Sequence, residues 1–190
     1  MGARAHCPDG PGGKVIRIVI DPGTRTVTHL AIEPSHHSAP ARLVPLELVD
    51  ATGSEIRLRC TLAEFGHLDT AEEIQMVEDI APADFGPVDL ASPLATARPM
   101  EVTVEDVVPP GETEVRQGDY VQAVDGEIGQ VQGVIIDRGD HRMTHVLLKE
   151  GHLWGRKEVA IPVSAVTDVT DGFVLNLTKK QVESLPPLSH

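Results

Sequence analysis

Residues 125–166 read DGEIGQVQGVIIDRGDHRMTHVLLKEGHLWGRKEVAIPVSAV, and the chain contains a second version of this stretch. Setting Asp9 against Asp125 and running without gaps to Glu33 against Lys149 pairs twenty-five positions. Nine are identical: Asp9, Gly10, Gly13, Val15, Ile20, Asp21, Gly23, Thr28 and His29. Others exchange one apolar residue for another, Ile18 for Val134 and Ile32 for Leu148 among them. After one inserted residue, Val44-Pro45-Leu46 falls on Ile161-Pro162-Val163, and Ile56, Leu58 and Cys60 fall on Phe173, Leu175 and Leu177. Self-similarity of this kind marks a duplicated module. The chain divides into a first copy at 1–66, an unrepeated segment at 67–113 and a second copy at 114–190.

A module this small buries only about 60% of its unfolded surface, so the copies are expected to pack on each other or on a partner. Apolar content of 41% with only 3% aromatic residues implies a core of Val, Ile and Leu, which favours strands. Turn signals punctuate each copy. Asp9-Gly10 suits a tight hairpin, Asp21-Pro22-Gly23 a second turn, and a proline in Val44-Pro45 an edge or bulge. Strands are predicted at 3–7, 14–20, 27–32, 43–46 and 55–60, and again at 120–124, 130–136, 143–149, 158–163 and 172–177. Thr61-Leu62-Ala63-Glu64 and Thr178-Lys179-Lys180-Gln181 are capping-box patterns, each opening a short helical turn. Several short strands with close turns point to a small antiparallel barrel, which leaves no long exposed edge.

The net charge of −13 is unevenly placed. Residues 1–66 carry seven cations and seven anions, residues 67–115 one and twelve, and residues 116–190 eight and ten. An acidic chain with five aromatics lacks the basic groove and stacking platform of a nucleic-acid binder, so no direct nucleic-acid partner is expected. Neither a signal sequence nor an apolar stretch of membrane-spanning length is evident, which predicts a cytoplasmic protein without membrane insertion. Within 67–113, residues 69–79 read as helix from the Thr70 to Glu73 cap or as strand from the alternation of Ile74 and Met76. Both readings stay open. Residues 82–99 are rich in Pro, Ala and Asp and read as irregular linker, and residues 100–104 alternate as a strand.

DGEIGQVQGVIID at 125–137, MTHVLL at 143–148, GHLWGRKEVAIPVSAV at 151–166 and LNLTKKQVESLPPL at 175–188 resemble the PRC-barrel domain. That family is named for the cytoplasmic part of the photosynthetic reaction centre H subunit. The likeness is strong over the second copy, weaker over the first and absent from the acidic middle. It implies a six-stranded barrel with a short terminal helix. Its characterised members include the reaction-centre subunit, a ribosome maturation factor that binds a small-subunit ribosomal protein, and archaeal cell-division adaptors. In these the barrel is a docking surface rather than a catalyst. The expected architecture is therefore all-β, with two tandem PRC-like barrels related by a pseudo-twofold axis, each followed by a short helical turn.

His29 and His145 follow a threonine in equivalent strands. If the copies pack about a twofold axis these side chains meet, as a metal site or a pH-sensitive contact; otherwise each serves its own barrel. His36, His37 and His152 lie in loops, and with His6 and Cys7 they fit no recognised zinc spacing. Cys7 and Cys60 align with Ala123 and Leu177, so they read as small apolar residues, paired or unpaired. Asp9, Asp125, Asp21 and Asp137 sit in turns, where an Asp side chain bonds nearby backbone. No phosphate loop, dinucleotide fingerprint or nucleophile elbow occurs, so neither catalysis nor a cofactor is expected. His152, Trp154, Arg156 and Lys157 form a loop with the chain's only tryptophan beside two cations, a composition typical of interaction hot spots. The first copy has Ser38 in place of Trp154. These features predict a non-catalytic adaptor with a protein partner, and they also allow a homodimer. A metal- or ligand-binding sensor built on His29 and His145, and a stress-associated structural protein, are the alternatives.

Overall fold

A computed structural model of the chain describes residues 2–35, 39–51, 55–77, 101–150, 158–170 and 172–186. In the first copy the alternating apolar residues form β1 (Arg4–Cys7), β2 (Gly10–Asp21), β3 (Thr26–Pro34), β4 (Arg42–Pro45), β5 (Val49–Ala51) and β6 (Glu55–Leu58). They pair in the order β4-β3-β2-β1-β6-β5. The outermost two, β4 and β5, are joined by one 3-10 turn, Leu46–Leu48, so the sheet curls until its ends meet. The second copy repeats this plan with β10 (Tyr120–Ala123), β11 (Gly126–Ile136), β12 (Met143–Glu150), β13 (Glu158–Pro162), β14 (Val166–Asp168) and β15 (Phe173–Leu175). Its order is β13-β12-β11-β10-β15-β14, and Val163–Ala165 makes the joining turn. Only the contacts β1 with β6 and β10 with β15 are parallel among these sheets. The protein is all-β, two half-barrels in tandem.

Curling needs a close approach at Gly13. Its φ of 156° lies outside the range most residues adopt, and a Cβ there would collide with the Glu33 carbonyl of β3. Gly129 occupies the same place with φ 155°, which accounts for a glycine kept in both copies. Helices α1 (Leu62–Gly66) and α2 (Lys179–Glu183) start at complete capping boxes on Thr61 and Thr178. Asp9 and Asp125 act on these helices. The Leu62 N–H donates to Asp9 at 2.9 Å, and the Lys179 N–H donates to Asp125 at 2.8 Å. The turn role predicted for such aspartates holds for Asp21 and Asp137, which accept from Gly23 and Gly139 at 2.8 and 2.7 Å.

The two copies cross where equivalent residues meet. Thr26 bridges Arg142 antiparallel, the Val27 N–H donates to the His141 carbonyl, and the Met143 N–H donates to the Arg25 carbonyl, both at 3.0 Å. Each pair exchanges places under the same relation, so the pseudo-twofold axis runs through this bridge. One apolar cluster spans both sheets, including Ile20, Leu30, Ile56 and Leu58 from the first and Val131, Met143, Leu148 and Phe173 from the second.

The middle segment is not a loose spacer where it is described. Residues 69–79, open between helix and strand in sequence, contain β7 (Glu72–Val77), which pairs with β8 (Glu101–Asp106) in an antiparallel ribbon. The residues between them, including the linker predicted at 82–99, lie outside the described residues. At its base the ribbon covers the outer face of the first sheet. The Leu43 N–H donates to the Asp69 carbonyl and the Ala71 N–H to the Ala41 carbonyl, which buries Val19, Ala31, Ala41, Leu43 and Ala71 together. The next strand, β9 (Thr113–Arg116), crosses between copies. It precedes the second sheet in sequence yet pairs with β2 of the first, Ile18 opposite Val115 and Arg17 opposite Arg116.

Candidate functional site

β12 and β13 position the loop predicted to carry partner contacts, but His152, Trp154, Arg156 and Lys157 lie outside the described residues, as do His36 and His37. The duplicated histidines are described, and they do not meet. The strands that carry them run antiparallel through the Thr26–Arg142 bridge, so His29 and His145 lie three residues beyond it in opposite directions. At about 3.3 Å per residue they are roughly 20 Å apart along the strands. Each instead keeps its Nδ1 near its own threonine, Thr28 at 3.0 Å and Thr144 at 3.2 Å. The symmetric axis is real, but it passes too far from these residues for them to share a ligand.

Where β2, β8 and β9 converge, a polar cluster appears that sequence reading missed. Arg17 is only 3% exposed, in a strand of Val and Ile. Its guanidinium donates to the Ala71 carbonyl at 2.6 Å and to Glu114 at 2.8 Å, and it pairs with Asp106. Arg116 reaches the same two carboxylates, Glu114 at 2.6 Å and Asp106. A buried cation is tolerated when it is paired and hydrogen-bonded, so this network ties the acidic segment to the first sheet. The signal in sequence was Arg17 itself, a charge within an apolar run.

Both cysteines are free and buried, close enough to interact. Burial, with the Cys60 thiol beside it, pushes Cys7 up to about 11, so it is a neutral apolar group under ordinary conditions.

The outer faces of the two sheets differ sharply. Tyr120 on β10, Val124 directly after that strand and Val174 on β15 point outward with 56%, 69% and 39% of their surface exposed. Their equivalents in the first copy are Arg4, Pro8 and Arg57, an exposed face with two cations. The strands place Tyr120 and Val174 close together, because Val174 lies opposite Gln122 in the parallel pairing. Comparing the repeats position by position reveals this substitution of apolar for charged residues.

The β10 to α2 unit, residues 117–182, matches the family model of the PRC-barrel domain. This part of the chain is a PRC-barrel domain. The apolar outward face therefore belongs to the PRC barrel, while the first copy repeats the barrel's strand order with a charged face. No curated protein matches the chain. Among the described residues, no helix is long and apolar enough to cross a membrane, and no group of three or more His, Cys, Asp or Glu is placed to hold a metal ion.

Proposed function

We propose that this chain is a non-catalytic adaptor of the cytoplasm that docks another protein on the outer face of its PRC barrel. The observation that carries the reading is the exchange of Arg4, Pro8 and Arg57 for Tyr120, Val124 and Val174 between otherwise equivalent sheets. A solvated outer strand face has no need of large apolar side chains, and contiguous exposed apolar residues mark interaction sites. Tyrosine is also enriched at the energetic centres of interfaces. The Trp154 loop, with Arg156 and Lys157, is proposed as a second contact on the strength of its composition. The twelve acidic residues of 67–115 give the segment between the barrels a field that favours a basic partner.

The test is affinity capture with the intact chain and with Tyr120→Arg/Val174→Arg, the double variant that installs the cations of the first copy. A discrete partner held by the intact chain and lost by the variant supports the reading. A retained set identical for both, with the variant folded by circular dichroism, overturns it for this face. The Trp154→Ala/Arg156→Ala pair tests the loop in the same assay.

A further inference from the structure

The pseudo-twofold relation that carries the first sheet onto the second leaves one strand without a counterpart. In the first copy, residues 17–20 of β2 are covered on one edge by β9, and Val115 of β9 is fully buried. One residue before that strand, the carboxylate of Glu112 accepts from the Thr28 hydroxyl at 2.7 Å and lies 3.6 Å from His29 Nδ1. The Thr-His dipeptide of the first copy is thus the receptor for an acidic residue that leads a strand into its slot.

In the second copy the equivalent edge is residues 133–136 of β11. Backbone pairing from Gly118 and Asp119 stops at Val131, and among the described residues no strand pairs with 133–136 on that side. A cavity of about 370 Å³ lies along this edge. It is walled by Ile18, Leu30 and Ile56 of the first copy and by Val134, Ile135 and Ile136 of the second. Under the pseudo-twofold relation this is the place that corresponds to the seat of Val115. Beside it, Thr144 and His145 repeat the Thr28 and His29 pair. The Thr144 hydroxyl donates to the Ile135 carbonyl at 3.1 Å and His145 Nδ1 lies 3.2 Å from the Thr144 hydroxyl, with no carboxylate on either among the described residues.

We propose that residues 133–136 form a strand-addition site for an extended segment of a partner protein, with a Glu or Asp three residues before a Val or Ile. The spacing is that of Glu112 and Val115. The carboxylate binds Thr144 and His145, the backbone pairs antiparallel with β11, and the apolar side chain enters the cavity. An acidic residue directly before the apolar one is not required, because Arg17, which holds Glu114 in the first copy, corresponds to Gly133. Added strands of this type gain affinity from main-chain hydrogen bonds and specificity from pockets for alternate side chains. The proposal rests on the docking reading and gives that docking a second, more selective surface.

The full-length chain is titrated with an acetylated peptide of its own residues 110–119, PGETEVRQGD, as the probe, and binding is followed by amide hydrogen exchange and calorimetry. The expected result is saturable one-to-one binding with new protection at 133–136. Replacing the peptide's valine by aspartate weakens binding at least about tenfold, and Glu112→Gln in the peptide weakens it several-fold. Thr144→Val in the protein removes the preference for the Glu peptide over the Gln peptide, which is the coupling expected of a direct contact. Ile56→Phe places in the cavity the side chain that Phe173 supplies at the equivalent position, and it abolishes binding while leaving the fold intact. The idea is overturned if neither peptide binds, if the aspartate peptide binds equally, or if protection rises at 17–20 because the peptide displaces β9. Protection at 133–136 that grows with protein concentration alone and resists the peptide assigns the edge to a second copy and also overturns it. Loss of peptide binding in Tyr120→Arg/Val174→Arg is not expected, so failure of this site and failure of the outer-face reading are separable.

Discussion

Arg25 and His141 hold the same left-handed backbone conformation, φ 57° and 58°, at equivalent positions on either side of the Thr26–Arg142 bridge. They are the turn residues from which each copy reaches the other. Arg25 donates through Nη1 to the Val163 carbonyl at 3.0 Å, and His141 borders a depression with Leu46 and Glu47. Residues with a Cβ enter this region at a cost of about 1–2 kcal/mol, and β-branched residues fare worst. His141→Ile is therefore expected to be less stable than His141→Gly by about 1–2 kcal/mol, read as a shift in urea midpoint at constant slope. Equal midpoints would remove the strain from the account of this crossing.

Arg17 is the only buried cation among the described residues, and its loss leaves Asp106 and Glu114 to Arg116 alone and the Ala71 carbonyl to the Val107 N–H alone. Arg17→Met is expected to cost roughly 1–3 kcal/mol, because the charge-assisted hydrogen bonds of Arg17 are lost while Arg116 still compensates both carboxylates in part. Adding Glu114→Gln to that variant recovers part of the loss. A double variant no more stable than the single one would show that packing, rather than charge, fixes the segment to the sheet.

Thr61 and Thr178 each satisfy two otherwise unpaired N–H groups together with Glu64 and Gln181. Thr61→Ala and Thr178→Ala are each expected to cost about 1 kcal/mol, and Thr178→Ser far less. The two sites share no partner, so the double variant should lose close to the sum. Thermal or urea unfolding reads the additivity directly.

Cys7 titrates at about 11 in the folded chain, raised from 9.0 by burial first and by the neighbouring Cys60 thiol second. A group whose pKa is raised on folding contributes fully below the unfolded value, so its share of stability is intact up to about pH 9 and is lost as pH rises toward 11. Native protein at pH 8 is expected to resist alkylation at both cysteines and to react on unfolding. Cys7→Ala should flatten the fall in stability between pH 9 and 11 relative to the parent.

The strands of the repeats were legible because Val, Ile and Leu alternate along them, and the capping boxes because their whole chemistry lies within four residues. What sequence left open or missed is decided across long separations. Whether 72–77 is strand or helix depends on Val104 and Val102 of β8 lying opposite Ile74 and Met76. β9 has one apolar residue, Val115, and no alternation to show; its partner is β2, with Arg17 and Glu114 bonded across 97 residues. Asp9 and Asp125 look like hairpin aspartates because glycine follows them, while their acceptors serve helices 53 and 54 residues later. The Thr-His repeat was visible as a motif, but its meaning depended on Glu112 at a separation of 84 residues from Thr28.

That β9 is donated backwards sets an order on synthesis. While only residues 1–100 have left the ribosome, residues 17–20 have no outer strand, and Arg17 faces neither Asp106 nor Glu114. The nascent first half is thus a sheet with an open edge and an uncompensated interior charge, the kind of intermediate that associates wrongly. Expressed as separate polypeptides cut at 100, the N-terminal piece should be insoluble alone and recovered when the C-terminal piece is made beside it. The late-arriving strand then works as a chaperone supplied by the chain to itself.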